Sequence, residues 1–156
     1  MVVNGPITST EEVLSYNFRD KYLLRAALNY PPSSNIASSN IPRDRLLPIG
    51  EAAINMMAAV DYAKTHRING QSYEGRLLTY FSIVNLSSAC QARGIVDHIC
   101  LRPHIKTSPH FLAETIIAII GAVYMDGGTG IGRLDAMPNV RFVWEKLKIG
   151  DVNPNL

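Results

Sequence analysis

Charge of one sign is what this sequence has least of. Fifteen lysines and arginines face thirteen acids in 156 residues, a net charge of +2 at pH 7. A chain that grips nucleic acid unaided carries a clear basic excess, because cations make the phosphate contacts. Charged residues are 18% of the chain and hydrophobic ones 47%, which excludes a disordered, charge-driven polymer and leaves material for a core. Cysteine is scarce. Cys90 and Cys100 stand at no zinc-ligand spacing and are expected to be thiols of a reducing compartment. The longest apolar run, Ile116–Val123, is far short of the about 20 residues a bilayer span needs, so no membrane partner is expected. Residues 1–20 lack a basic start followed by an apolar stretch. No secretory signal is therefore expected, and the expected location is intracellular, cytoplasmic or mitochondrial. Alternating strand patterns and internal repeats are also missing.

What is present is helical periodicity. Residues 1–10 read as a loose tail, with Thr8 to Thr10 placed to cap a first helix through Glu11, Glu12, Val13 and Leu14. Asp20 suits an N-cap, and Leu23, Leu24, Ala27 and Leu28 would form one apolar face behind it. Three prolines, four serines and two asparagines make 31–42 a loop. A helix is predicted from Arg43 to Lys64, with Pro48 delaying its proper start to near Leu47. Asn69-Gly70 is a turn signal. One long helix is predicted from Tyr73 to Arg93, stopped by Gly94, and a short one over Ile95–Leu101. Ser108-Pro109 reads as N-cap and first helical residue of a helix to Met125. That helix is apolar almost all round and so belongs at the centre. Asp126-Gly127-Gly128 ends it, and Asn139 to Lys148 is a last amphipathic helix. The expected fold class is all-α, with Gly50, Ala53, Ala118 and Gly121 allowing two long helices to approach closely.

Four segments in order then resemble the ribonuclease III domain. Tyr16 to Leu28 is similar to the family's opening aromatic pair, Asp-Lys step and Leu-Leu, Ala-Leu pattern. Asp44-Arg45-Leu46-Leu47-Pro48-Ile49-Gly50-Glu51-Ala52 resembles the signature Glu-Arg-Leu-Glu-Phe-Leu-Gly-Asp-Ala. Ile83-Val84-Asn85-Leu86 is similar to its Val-Ser-Asn segment. Phe111 to Gly128 resembles Leu-Ala-Asp-x-x-Glu-Ala-x-x-Gly-Ala-x-Tyr-x-Asp-Gly-Gly. The resemblance implies a helical endonuclease-domain bundle over 11–148, with tails at 1–10 and 149–156. No double-stranded-RNA-binding segment follows in this sequence. It also implies a homodimer, in which Pro48 stands where the family places an aromatic plug.

Family enzymes cut double-stranded RNA with magnesium held by carboxylates, hard oxygen ligands suited to that ion. Carried over position by position, the signature pair here is Leu47 and Glu51, and the later pair is Glu114 and Ile117. Half the shell is aliphatic. No metal or cofactor is expected, and magnesium enters only if Glu51 and Glu114 act as residual ligands. Asp44 stands at the signature's first acid. Asn85 has an alternative role as a helix cap. His98, His104 and His110 are spaced by six and present no helical metal face. Arg19, Lys21, Arg25, Arg43 and Arg45 are the densest basic grouping.

Three functions follow. The first is a catalytically degenerate, non-nucleolytic protein associated with structured RNA or a ribonucleoprotein. Relatives that lost their acids are of this kind. The second is a repurposed cleft for an apolar small molecule, lined by Leu47, Ile117, Asn85 and Arg45. There Glu51, Glu114 and Asp44 would supply acid/base chemistry for dehydration, isomerisation or cyclisation, because an apolar setting raises a carboxyl's pKa. The third is an atypical divalent-metal-dependent nuclease using the same acids.

Overall fold

A computed structural model describes residues 5–32, 41–64, 72–104, 106–128 and 136–150. Seven α-helices and one 3-10 turn make up its regular structure, with no strand among the described residues. They are α1 Pro6–Leu14, α2 Lys21–Ala27, α3 Arg43–Lys64, α4 Tyr73–Tyr80, α5 Ile83–Ala92, α6 Pro109–Gly128 and α7 Ala136–Leu147. The 3-10 turn covers Ile95–His98, between α5 and α6.

The apolar α6 is the axle of the bundle. It packs against α2, α3, α5 and α7. Leu112, Ala113 and every residue from Thr115 to Val123 are buried. By length and composition the stretch Pro109–Gly127 would suit a membrane. Here its flanks are covered by the chain's own helices, which is what an all-round apolar helix requires in a bundle. Asp20 caps α2 by accepting from the Tyr22 N–H at 3.0 Å, and Ser108 caps α6 by accepting from the Phe111 N–H at 3.1 Å.

Several boundaries differ from the sequence reading. The first helix starts at Pro6 behind Gly5, so residues 6–10 belong to α1 and not to a tail. Proline as first helical residue has no N–H to leave unpaired. Thr10 does not cap. Its hydroxyl donates to the Pro6 carbonyl at 2.7 Å and meets His98 Nδ1 at 3.0 Å. The helix α3 begins at Arg43 in spite of Pro48. The carbonyl that Pro48 cannot serve belongs to Asp44, and both residues are exposed, so the missing bond falls where solvent has access. The predicted helix from Tyr73 to Arg93 is two helices. It breaks at Phe81-Ser82, where the Ser82 hydroxyl accepts from the Asn85 N–H at 3.3 Å and starts α5. The short helix predicted over Ile95–Leu101 is a 3-10 turn ending at His98. The Asn69-Gly70 turn and most of the 31–42 loop lie outside the described residues.

Candidate functional site

The helices α3 and α6 cross almost backbone to backbone. A Cβ on Gly50 would stand 2.0 Å from the Ile117 carbonyl oxygen, and one on Gly121 would stand 2.2 Å from that of Leu46. This crossing fixes the two segments that carry the family's acids. Above it, the N-terminal ends of α3 and α6 and the C-terminal end of α2 enclose an open groove of about 1040 Å³. Asp44, Leu47 and Glu114 line it, with Tyr22, Arg25, Tyr30, Arg43, Cys100 and Arg102.

Arg43 bolts the groove together. Its Nη1 donates to the Ala27 carbonyl at 3.0 Å and its Nη2 to the Phe111 carbonyl at 3.1 Å. The Ala27 carbonyl is one of those a helix C-terminus leaves unpaired. The guanidinium also lies 4.1 Å from the Phe111 ring centroid. Burial pushes its pKa down, and the nearby Glu114 carboxylate opposes that. Burial in turn drives the Cys90 thiol up to about 12, so it stays protonated.

A second tie shapes the opposite wall. Asn29 takes a left-handed φ of 66° and turns the chain out of α2. Its side-chain amide donates to the Cys100 carbonyl at 3.1 Å, and the Cys100 N–H donates to the Leu28 carbonyl at 2.9 Å. These bonds lash the segment after the 3-10 turn to the end of α2 and bring Arg102 to the groove. Sequence reasoning missed Tyr22, Tyr30 and Arg102 as groove residues. The available signal was Asn29, a residue tolerant of positive φ just after a helix. Its partner 71 residues away was not legible.

The residues singled out in the sequence do not all meet. Asp44 is exposed, and Leu47 and Glu114 are half-buried; all three line the groove, and Glu114 Oε1 is 2.9 Å from His110 Nε2. Glu51 is exposed one turn beyond Leu47 and does not line the groove, and neither does Arg45. Ile117 is 8% exposed and packs in the core at the Gly50 contact. Asn85 belongs to the other end of the bundle, where its amide donates to the Thr79 carbonyl at 3.2 Å. From the basic grouping, Lys21 pairs with the buried carboxylate of Glu11, and Arg43 is committed to carbonyls.

This donor set does not fit carboxylate-held magnesium. Two of the four positions end in hydrocarbon, one of them facing the core, and Glu114 is engaged by His110. Among the described residues no group of three His, Cys, Asp or Glu side chains converges. An octahedral ion needs such convergence.

No family model matches the chain. It is 23% identical over 160 positions to Ribonuclease 3 of Vibrio campbellii (strain ATCC BAA-1116), covering 99% of this chain and 67% of that protein. It is 24% identical to Ribonuclease 3 of Vibrio atlanticus (strain LGP32) over the same shares. Among solved structures, the nuclease domain of ribonuclease III from Campylobacter jejuni superposes with a TM-score of 0.70 at 18% identity, covering 93% of this chain and 95% of that one. A second structure of that domain, described for flexibility in a region involved in dimer formation, gives 0.66 at 21% identity, covering 92% and 99%. At these identities the structural likeness shows a shared fold.

Proposed function

Because the chain carries a ribonuclease III-like domain of all-α fold, we propose that it is a catalytically degenerate form of that domain. It binds structured RNA or a ribonucleoprotein inside the cell without cutting it, and it works as a homodimer. The observation that carries this reading is the pair Leu47 and Ile117. They stand at two of the four positions that the resemblance gives to metal ligands, both end in hydrocarbon, and Ile117 is buried where α6 crosses Gly50 of α3. Three guanidiniums on the groove favour an anionic partner in spite of the small net charge. The Vibrio relatives being named Ribonuclease 3 favours RNA as that partner.

One observation supports a second reading, a small-molecule site with acid/base chemistry. Leu47 gives the groove an apolar wall between two carboxyls, Asp44 and Glu114, and the volume lies at the upper end of the range for small-molecule pockets.

The test is a long RNA duplex incubated with the protein and magnesium or manganese. The duplex is expected to stay intact while binding weakens steeply with salt, since each neutralised phosphate releases counterions. Metal-dependent cleavage abolished by Glu114→Gln would overturn the non-nucleolytic reading. Salt-insensitive stabilisation by an apolar metabolite, with no RNA binding, would favour the second reading instead.

A further inference from the structure

The cations on the groove are not equivalent. Arg43 is spent on two carbonyls and a phenyl face. Arg25 and Arg102 are differently placed. Neither forms an ion pair with a carboxylate among the described residues, and both line the groove. Arg25 lies 5.0 Å from the Tyr30 ring centroid, a cation–π contact that positions the guanidinium without using a carboxylate. Arg102 is exposed on the wall that Asn29 ties to α2. Tyr22 and Tyr30 supply aromatic surface between them, and Leu47 supplies an aliphatic patch. The carboxylates opposite are unequal too. Glu114 is answered by His110 and Arg43, whereas Asp44 forms no ion pair among the described residues and faces the rim.

We infer that this groove is a binding site for a planar ring carrying an anionic group, with Arg25 and Arg102 taking the anion and Tyr22, Tyr30 and Leu47 taking the ring. Planar guanidinium forks match the oxygens of phosphate and carboxylate bidentately. Rings stack on aromatic faces without regard to sequence. The volume suits one or two ring systems, so of a structured RNA the groove would take an unpaired end while the paired stem lies on the surface outside it. The anion-bearing ring has two possible sources, the unpaired end of an RNA or a free aromatic acid. The inference rests on the reading that this groove binds and does not cut.

The test is titration of the purified protein in EDTA, by calorimetry and by melting temperature. The probes are adenosine 5′-monophosphate, 1-naphthoate, and adenosine and 1-naphthalenemethanol as their uncharged counterparts. Each anion is expected to bind at least about tenfold more tightly than its uncharged counterpart, the usual scale of a charge-assisted hydrogen bond. Arg25→Gln and Arg102→Gln should each weaken the anion about tenfold and leave the uncharged probe unchanged. Asp44→Asn should tighten it, because a repelling carboxylate is removed. A 5′-phosphorylated single-stranded hexaribonucleotide binding more tightly than both anions would identify an RNA end, and 1-naphthoate binding more tightly than the oligonucleotide would identify a free aromatic acid. Equal binding of charged and uncharged probes, no saturable binding of either anion, or indifference to both arginine substitutions in folded protein would overturn the inference. With EDTA present, nuclease activity has no part in this readout. Cleavage of duplex in the magnesium assay would therefore count against the non-nucleolytic reading alone.

Discussion

Gly50 and Gly121 matter because each lies under a carbonyl of the other helix, closer than any Cβ can approach. The obstruction is backbone in both cases, so no side chain can rotate away. Gly50→Ala must push α3 and α6 apart, and their crossing runs through the most buried part of the core. A destabilisation of about 3 kcal/mol is expected, the upper end for overpacking, seen as a lower urea midpoint with an unchanged slope. Alanine at Gly5, whose Cβ would meet nothing within 4 Å, should cost little. The role of these glycines was legible, because small residues on two apolar helices admit one close geometry. The role of Arg43 was not. Its sequence neighbours Asp44 and Arg45 are both exposed, and nothing local marks Arg43 as the residue that turns inward to two carbonyls. Ile117 shows the same limit. Motif alignment puts it at a ligand position, and only the crossing of the helices shows that the position looks into the core.

The elements are held in place by a few buried carboxylates as well as by apolar faces. Asp126, near the end of α6 and 5% exposed, accepts from the Tyr16 hydroxyl at 2.8 Å, the Arg19 N–H at 3.0 Å and the Asp20 N–H at 2.8 Å. It thereby fixes the chain between α1 and α2, including the residue that caps α2. Burial and this carboxylate together push the Tyr16 phenol well above its ordinary range. Asp126→Ala leaves three donors without their acceptor and should cost about 3 kcal/mol. Slowed amide exchange should be lost first in α1 and α2, and retained in the centre of α6. Equal loss of protection in all helices would show that the carboxylate supports the whole bundle and not this junction. In the sequence Asp126 reads only as a helix stop before two glycines. The helix in fact runs on through both glycines to Gly128, and Asp126 acts as a clamp, a role that depends on a chain segment more than a hundred positions away. The break between α4 and α5 was hidden for a different reason. Leu77, Leu78, Phe81, Ile83, Val84 and Leu86 continue an apolar pattern across Ser82, and Leu78 and Val84 prove to be 75% and 68% exposed. A periodicity that suggests one buried face belongs to two short helices with apolar residues left outside.

Those outlying residues bear on the whole molecule, as does its response to acid. Asp61 near the end of α3 receives Arg141 of α7 through both oxygens, at 3.0 and 2.6 Å, and the Tyr80 hydroxyl of α4 at 2.5 Å. Burial alone would raise its pKa, but these bonds hold it below the ordinary carboxylate value. The lock therefore contributes its full stability above about pH 4 and loses it as the pH falls through the lower folded value. Melting temperature should fall more steeply in acid for the native protein than for Asp61→Asn, and equal slopes would show that the lock is not what acid breaks. The proposed homodimer rests on the opposite kind of feature, apolar surface without an internal partner. Met56 of α3, Leu78 of α4 and Ile83 and Val84 of α5 are exposed on three helices packed in succession. Isolated apolar residues on a surface are ordinary, so it is as one contiguous patch that these four would serve the proposed dimer. A stable symmetric pair buries about 800 Å² per subunit, which such a face can supply if both copies present it. Sedimentation at micromolar concentration should therefore give twice the chain mass of 17.2 kDa. The double variant Leu78→Lys, Val84→Lys should sediment as a monomer with its helical circular dichroism intact, because both side chains already stand in solvent. A native protein that sediments as a monomer would overturn the dimer. A variant that stays dimeric would move the interface away from α4 and α5, toward Leu47 and Ile49 at the start of α3.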